Sequence, residues 1–109
     1  MHQFDLKNRT AIITGGAQGF GLDIAKKFLQ SGAKVIIWDI DKKELEKSSK
    51  AVNNIMLSYN LVDISNFEIV NKAVKEITKS SSIDILINNA GITGQTAAVF
   101  DISGGRSTY

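Results

Sequence analysis

The residues best suited to chemistry are the glycines of Thr14-Gly15-Gly16-Ala17-Gln18-Gly19-Phe20-Gly21, which join the apolar run Ala11-Ile12-Ile13 directly to a helical pattern. A strand that reverses into a helix needs positions without a Cβ, so that the backbone can take φ > 0 and its N–H groups can approach a ligand closely. Gly15, Gly19 and Gly21 supply those positions. The first N–H groups of the new helix have no intrahelical partner and carry the positive end of its dipole, so a pyrophosphate is the natural occupant. A glycine-rich turn also joins strand to helix for purely geometric reasons, and its weight depends on what accompanies it.

Asp39 closes the apolar run Val35-Ile36-Ile37-Trp38, where a doubly wound nucleotide domain places the acid that holds the adenosine ribose hydroxyls. The bland alternative is a helix-start residue, a role that Asp41 fills better. A carboxylate at this point repels a 2′-phosphate, and no arginine occurs in the glycine loop or beside Asp39, so NAD is expected in preference to NADP. Asn60 follows a run from Ile55 to Tyr59 and is placed to offer its amide to an adenine edge, with the Leu61 backbone beside it. Asn88-Asn89-Ala90-Gly91 ends the last apolar run. Two asparagines can form an ordinary turn. At this location Asn88 is expected to tie the loop to its neighbour strand, while Asn89, Ala90 and Gly91 leave a low polar shelf for a nicotinamide ribose.

The elements that must position these groups alternate. Arg9 to Thr14 is apolar on both faces, as a strand of a covered parallel sheet must be. Phe20, Ile24 and Phe28, with Ala25 and Leu29, form a helical stripe that Gly32 ends. Val35 to Trp38 is a second strand, followed by a helix from the capping pair Asp41 and Glu44 to about Lys50, with little apolar stripe beyond Leu45. Ile55 to Tyr59 reads as a third strand. Ser65 and Glu68 form a further capping box for a helix with Phe67, Val70, Ala73, Val74 and Ile77 on one face. Ile83 to Ile87 is the fourth strand. Such alternation predicts a Rossmann-like, doubly wound α/β parallel sheet, βαβαβαβ, in strand order 3-2-1-4, with a crevice at the carboxyl ends of the first and fourth strands.

The bulk properties narrow the partners. The chain has 109 residues, no proline or cysteine, 43% hydrophobic and 22% charged residues, and 13 basic against 11 acidic side chains for a formal +2, which fits one domain at most. The charges form no runs, so neither nucleic acid nor a membrane surface is an expected partner. No apolar stretch approaches a membrane span and the first residues lack a leader pattern, so a cytoplasmic location is expected. Without cysteine there are no disulfides or thiolate sites, and His2 reads as a solvated terminal residue rather than a metal ligand.

The glycine motif, Asp39 and Asn88-Asn89-Ala90-Gly91, in this order, resemble the short-chain dehydrogenase/reductase family from about Asp5 to about Asp101. Ile92-Thr93-Gly94 is similar to branches that include oxoacyl-carrier-protein reductases and polyol dehydrogenases. The resemblance implies hydride transfer between a nicotinamide cofactor and an alcohol/carbonyl substrate. It implies that Gly15, Gln18, Gly19 and Phe20 line the pyrophosphate and ribose, that Asp39 binds the adenosine ribose, that Asn60 and Leu61 meet the adenine, and that Asn89 to Gly91 meet the nicotinamide ribose. Asn60 stands where the family often has aspartate.

The family's catalytic serine, tyrosine and lysine, the last four residues after the tyrosine, lie in the second half of its fold. Neither Ser107 nor Tyr109 reproduces that pattern, so no catalytic residue is assigned. Residues 1–101 are expected to form the N-terminal half of an NAD-binding domain, and 102–109 an irregular tail. An open edge on the fourth strand would favour self-association as a homo-oligomer. The competing expectation is a non-catalytic nucleotide-binding module or an inert fragment that pairs through that edge.

Overall fold

The computed structural model describes residues 5–90. Strands β1 (Thr10–Thr14), β2 (Lys34–Asp39), β3 (Leu57–Leu61) and β4 (Ile85–Asn88) alternate with helices α1 (Gly19–Gln30), α2 (Lys42–Val52) and α3 (Phe67–Thr78). The sheet has the order β3-β2-β1-β4 and every pairing is parallel, as the alternation predicts. All five residues of β1 are buried, because successive side chains enter cores on opposite faces. Ile13, Val35, Ile37 and Leu57 pack with Ala25 of α1 and Leu45 of α2. Ile12, Ile36 and Trp38 pack with Val70 and Val74 of α3 on the other side. Among the described residues no helix is long and apolar enough to cross a membrane.

Several local readings are corrected. β3 starts at Leu57 and not at Ile55, because Asn53 ends α2 in the left-handed region (φ 48) and the Asn54 side chain accepts from the Met56 N–H (2.8 Å). The turn leaves Ile55 98% exposed. At its other end the strand runs past Tyr59 through Asn60 and Leu61. β4 starts at Ile85, since Asp84 is engaged with Thr10 through both its backbone N–H and its carboxylate, and Ile83 packs beneath the sheet instead.

The α3 cap is Asn66, whose side chain accepts from the Glu68 and Ile69 N–H groups. Ser65 donates its hydroxyl to Asp63 (2.6 Å), so it is not the cap. Phe67, expected in the α3 stripe, is 57% exposed because it occupies the first helical position. Asn66→Ala should lower stability by about 1 kcal/mol, seen as a lower thermal midpoint; an unchanged midpoint would show that the two N–H groups find water as readily as the amide oxygen.

Two helix ends form as expected. Asp41 accepts from Glu44 N–H at the start of α2. Gly32 (φ 93) follows the Ser31 C-cap of α1, with its N–H donating to Leu29 O and the Ala33 N–H to Phe28 O, a Schellman pattern.

Candidate functional site

All four strands bring their carboxyl ends to one place. After β1 the chain turns at Gly15 (φ 62) and enters α1 at Gly19 (φ 59), both in the region that L side chains rarely adopt. A Cβ on Gly19 would meet nothing within 4 Å, so the space outside it is open. Gly21 is required for a different reason. A Cβ there would overlap the Gly15 carbonyl oxygen and lie 2.9 Å from Asn89 Nδ2. Gly16, which the sequence did not single out, lies against β2, where a Cβ would come within 2.6 Å of Ile37 Cγ2.

The loop is braced on both sides. The Gly16 N–H donates to Trp38 O (3.3 Å), and the Ala17 N–H donates to Asp39 Oδ2 (3.2 Å). From the β4 side, Asn89 Nδ2 donates to Gly15 O (3.1 Å). Thr14, in the first position of the motif, proves to be its junction. Its buried hydroxyl donates to Asn88 Oδ1 (3.0 Å) and accepts from the Asn89 and Ala90 N–H groups (2.9 and 3.0 Å). The tie expected of Asn88 is present, and Asn89 adds a second. Only the fold could reveal Thr14 as the shared partner, since its partners lie more than seventy residues along the chain.

α1 begins differently from the other two helices. Gln18 occupies its N-cap position in an extended conformation without a side-chain cap, and no acidic residue lies in the first turn. Asp41 and Asn66 cap α2 and α3. The N–H groups and dipole of α1 are thus left available to an external anion. Gln18 and Phe20 are both exposed beside them, Phe20 by 77% although the helical stripe placed it inward.

Asp39 accepts from the Ile40 and Asp41 N–H groups through Oδ1 (2.8 and 3.2 Å) and from Ala17 through Oδ2. It is therefore no helix cap. A carboxylate has about four acceptor directions, and this partly exposed one keeps capacity for a hydroxyl donor. Beside it a cavity of about 160 Å³ is lined by Gly15, Trp38, Asp39, Ile40, Val62, Asp63, Ile64 and Ala90. This is below the roughly 300–1,000 Å³ of a pocket for a whole drug-sized ligand, so it fits one moiety of a larger molecule.

Asn60 and Leu61 do not line the cavity. Asn60 Oδ1 accepts from Trp38 Nε1 (3.2 Å), and Leu61 pairs in register with Asp39. Val62, Asp63 and Ile64, missed in the sequence, take the place beyond the strand. The signal was Asp63 with Ser65 two residues on, an Asx-turn pattern that ends a strand. The Ser65 hydroxyl and N–H both donate to Asp63 and hold its carboxyl below the usual range. The stabilisation from this pairing is present above the unfolded carboxyl value and is lost as pH falls through the lowered one. Gly91, the tail 102–109 and His2 lie outside the described residues.

A parallel sheet in the order 3-2-1-4, with a glycine turn at its switch point and an uncapped helix behind that turn, defines a Rossmann-like domain. The short chain dehydrogenase family model matches residues 9–103, and the chain belongs to that family, whose members are oxidoreductases that bind NAD or NADP. It is 38% identical over 92 residues to the 3-oxoacyl-[acyl-carrier-protein] reductase FabG of Chlamydia trachomatis, covering 81% of this chain and 37% of that protein. It is 43% identical over 89 residues to the galactitol 2-dehydrogenase of Agrobacterium fabrum, covering 80% and 34%. The solved Pseudomonas aeruginosa RhlG/NADP active-site complex superposes with a TM-score of 0.72 at 31% identity, covering 84% of this chain and 38% of that one. The chain spans about a third of the length of the curated relatives it matches.

Proposed function

We propose that these residues hold the adenosine and pyrophosphate of NAD in an oxidoreductase whose complete form moves hydride between the cofactor and an alcohol/carbonyl substrate. The observation that carries this reading is the uncapped N-terminus of α1 beside a cavity whose charged boundary is two carboxylates, Asp39 and Asp63, with no basic side chain. Gly15, Gln18, Gly19 and Phe20 surround the pyrophosphate, and Gly21 lets the loop close. Asp39 accepts from the ribose hydroxyls. Val62, Asp63 and Ile64 wall the adenine, with Asn60 and Leu61 behind them in β3, and Asn89, Ala90 and Gly91 support the nicotinamide ribose. When bound, the dinucleotide supplies the hydride acceptor or donor. The relatives' names, one an oxoacyl reductase and one a polyol dehydrogenase, support an alcohol/carbonyl substrate.

The two carboxylates favour NAD, because a 2′-phosphate would meet them as like charges. Calorimetric titration of the chain and of Asp39→Ala with both cofactors tests this. The substitution should weaken NAD by about 1–3 kcal/mol, the range of a lost charge-assisted hydrogen bond. Any loss from releasing Ala17 falls on both cofactors, so the preference for NAD over NADP is the quantity that must shrink; an unchanged preference removes Asp39 from the ribose site.

The 109 residues contain no tyrosine followed four positions later by lysine. Without an acid/base the oxygen of a ketone receiving hydride has no proton donor, so the purified chain should oxidise no NADH above background with simple ketones. Activity that follows the chain through two orthogonal columns would show that another residue does this work.

A further inference from the structure

β3 lies at one edge of the sheet as described, and its own segment lacks the side chains that usually discourage a further strand. From Ala51 to Val62 there is no charged residue, proline or glycine, whereas exposed edges are commonly blunted by charge, proline or a bulge. Ile55, Met56, Tyr59 and Leu61 are exposed in this segment. The ladder to β2 fixes which backbone groups are free. Val35 N–H donates to Met56 O (2.9 Å) at one end and Val62 N–H to Asp39 O (3.0 Å) at the other, so the even-numbered residues of β3 face β2. N–H and C=O directions alternate along a strand, so Tyr59 and Leu61 turn theirs outward.

The geometry points to antiparallel pairing of β3 with β3 of a second copy of this chain, about a twofold axis that sets Tyr59 opposite Tyr59. In this register Leu57 lies opposite Leu61 and Ser58 opposite Asn60, so apolar meets apolar on one sheet face and polar meets polar on the other. The two Tyr59 residues exchange N–H···O=C bonds in both directions, and each Leu61 N–H donates to the Leu57 carbonyl of the other copy. A slip by one residue would set these outward groups against residues whose own N–H and C=O are bonded to β2, and the ladder would not form. The occupant is a second copy because a twofold contact sets like residues against each other, and an uncharged segment does so without like-charge repulsion. A foreign strand would find no charge here to recognise. The contact joins two four-stranded sheets into one.

So short an interface is weak, and the test is therefore light scattering of the 109-residue chain over a concentration series. The mean mass should rise with concentration from that of one chain towards that of two. Tyr59→Lys and Tyr59→Asp should each abolish the rise, and an equal mixture of the two should restore it, because the axis sets position 59 against itself. Circular dichroism checks that both variants fold; if either does not, Leu61→Lys, at a 54% exposed position, should abolish the rise in its place. A wild-type chain that stays monomeric at every concentration overturns the proposal. So does a dimer that survives the folded variants, which would place the contact on another surface such as β4, and so does a mixture that fails to recover.

Discussion

Replacing Gly21 with alanine should destabilise the chain by on the order of 3 kcal/mol and abolish nucleotide binding, although alanine is the better helix former by about 1 kcal/mol. The sign is set by what the new methyl meets. It would overlap the Gly15 carbonyl oxygen and press on Asn89 Nδ2, and these two groups are bonded to each other across the sheet. Neither can withdraw without opening the loop from β4, and the obstacle is backbone rather than the tip of a flexible side chain. Gly19→Ala is the informative control. It meets no atom within 4 Å and carries only the left-handed backbone penalty, about 1–2 kcal/mol. Urea midpoints for the two variants, with NAD titration of each, check the difference; a Gly21→Ala protein as stable as the parent would mean that the loop has another closed arrangement.

Thr14→Val should cost roughly 2–4 kcal/mol, although the two side chains have nearly the same shape. Thr14 is 0% exposed, so water cannot replace its hydroxyl. Its loss removes the partner of two backbone N–H groups, at Asn89 and Ala90, and of Asn88 Oδ1. Each unsatisfied group carries a desolvation cost, while packing of the site is unchanged. Thr14→Ser keeps the hydroxyl and should lose far less. Equilibrium denaturation measures the difference, and hydrogen exchange at Asn89 and Ala90 locates it. Equal stability of the valine and serine variants would show that the hydroxyl is not the junction.

The architecture was readable because the strongest signals were periodic or conformational. Ile12 and Ile13 face opposite cores from adjacent positions, and a run buried on both sides must belong to a covered parallel sheet. Gly15 and Gly19 have the positive φ their loop requires. The misread segments were those where a polar side chain overruled an apolar pattern. Asn54 takes Met56 into a turn and shortens β3, and Asp63 takes Ser65 away from the α3 cap, leaving it to Asn66. A hydrophobic count cannot detect either event, because each depends on one oxygen within reach of one N–H. Thr14 and Gly16 were hidden for another reason: their partners on β4 and β2 are neighbours only after the strands are ordered.

That ordering also bears on how quickly the molecule can acquire its site. No strand here is joined to its neighbour by a hairpin, so every sheet contact closes a long loop. Ala17 reaches Asp39, and Trp38 reaches Asn60, across 22 residues, but Thr14 and Gly15 reach Ile87 to Ala90 only across 73 to 76. Loop-closure entropy grows with the length closed, and folding slows as the mean separation of contacting residues rises. During synthesis, β1, α1 and β2 can meet as soon as they emerge, while the bonds that brace the glycine loop must wait until Ala90 has left the ribosome. Among the described residues the candidate site is thus the last local structure to become possible, and no ligand bound there can help a nascent chain fold until the sheet it depends on is already assembled.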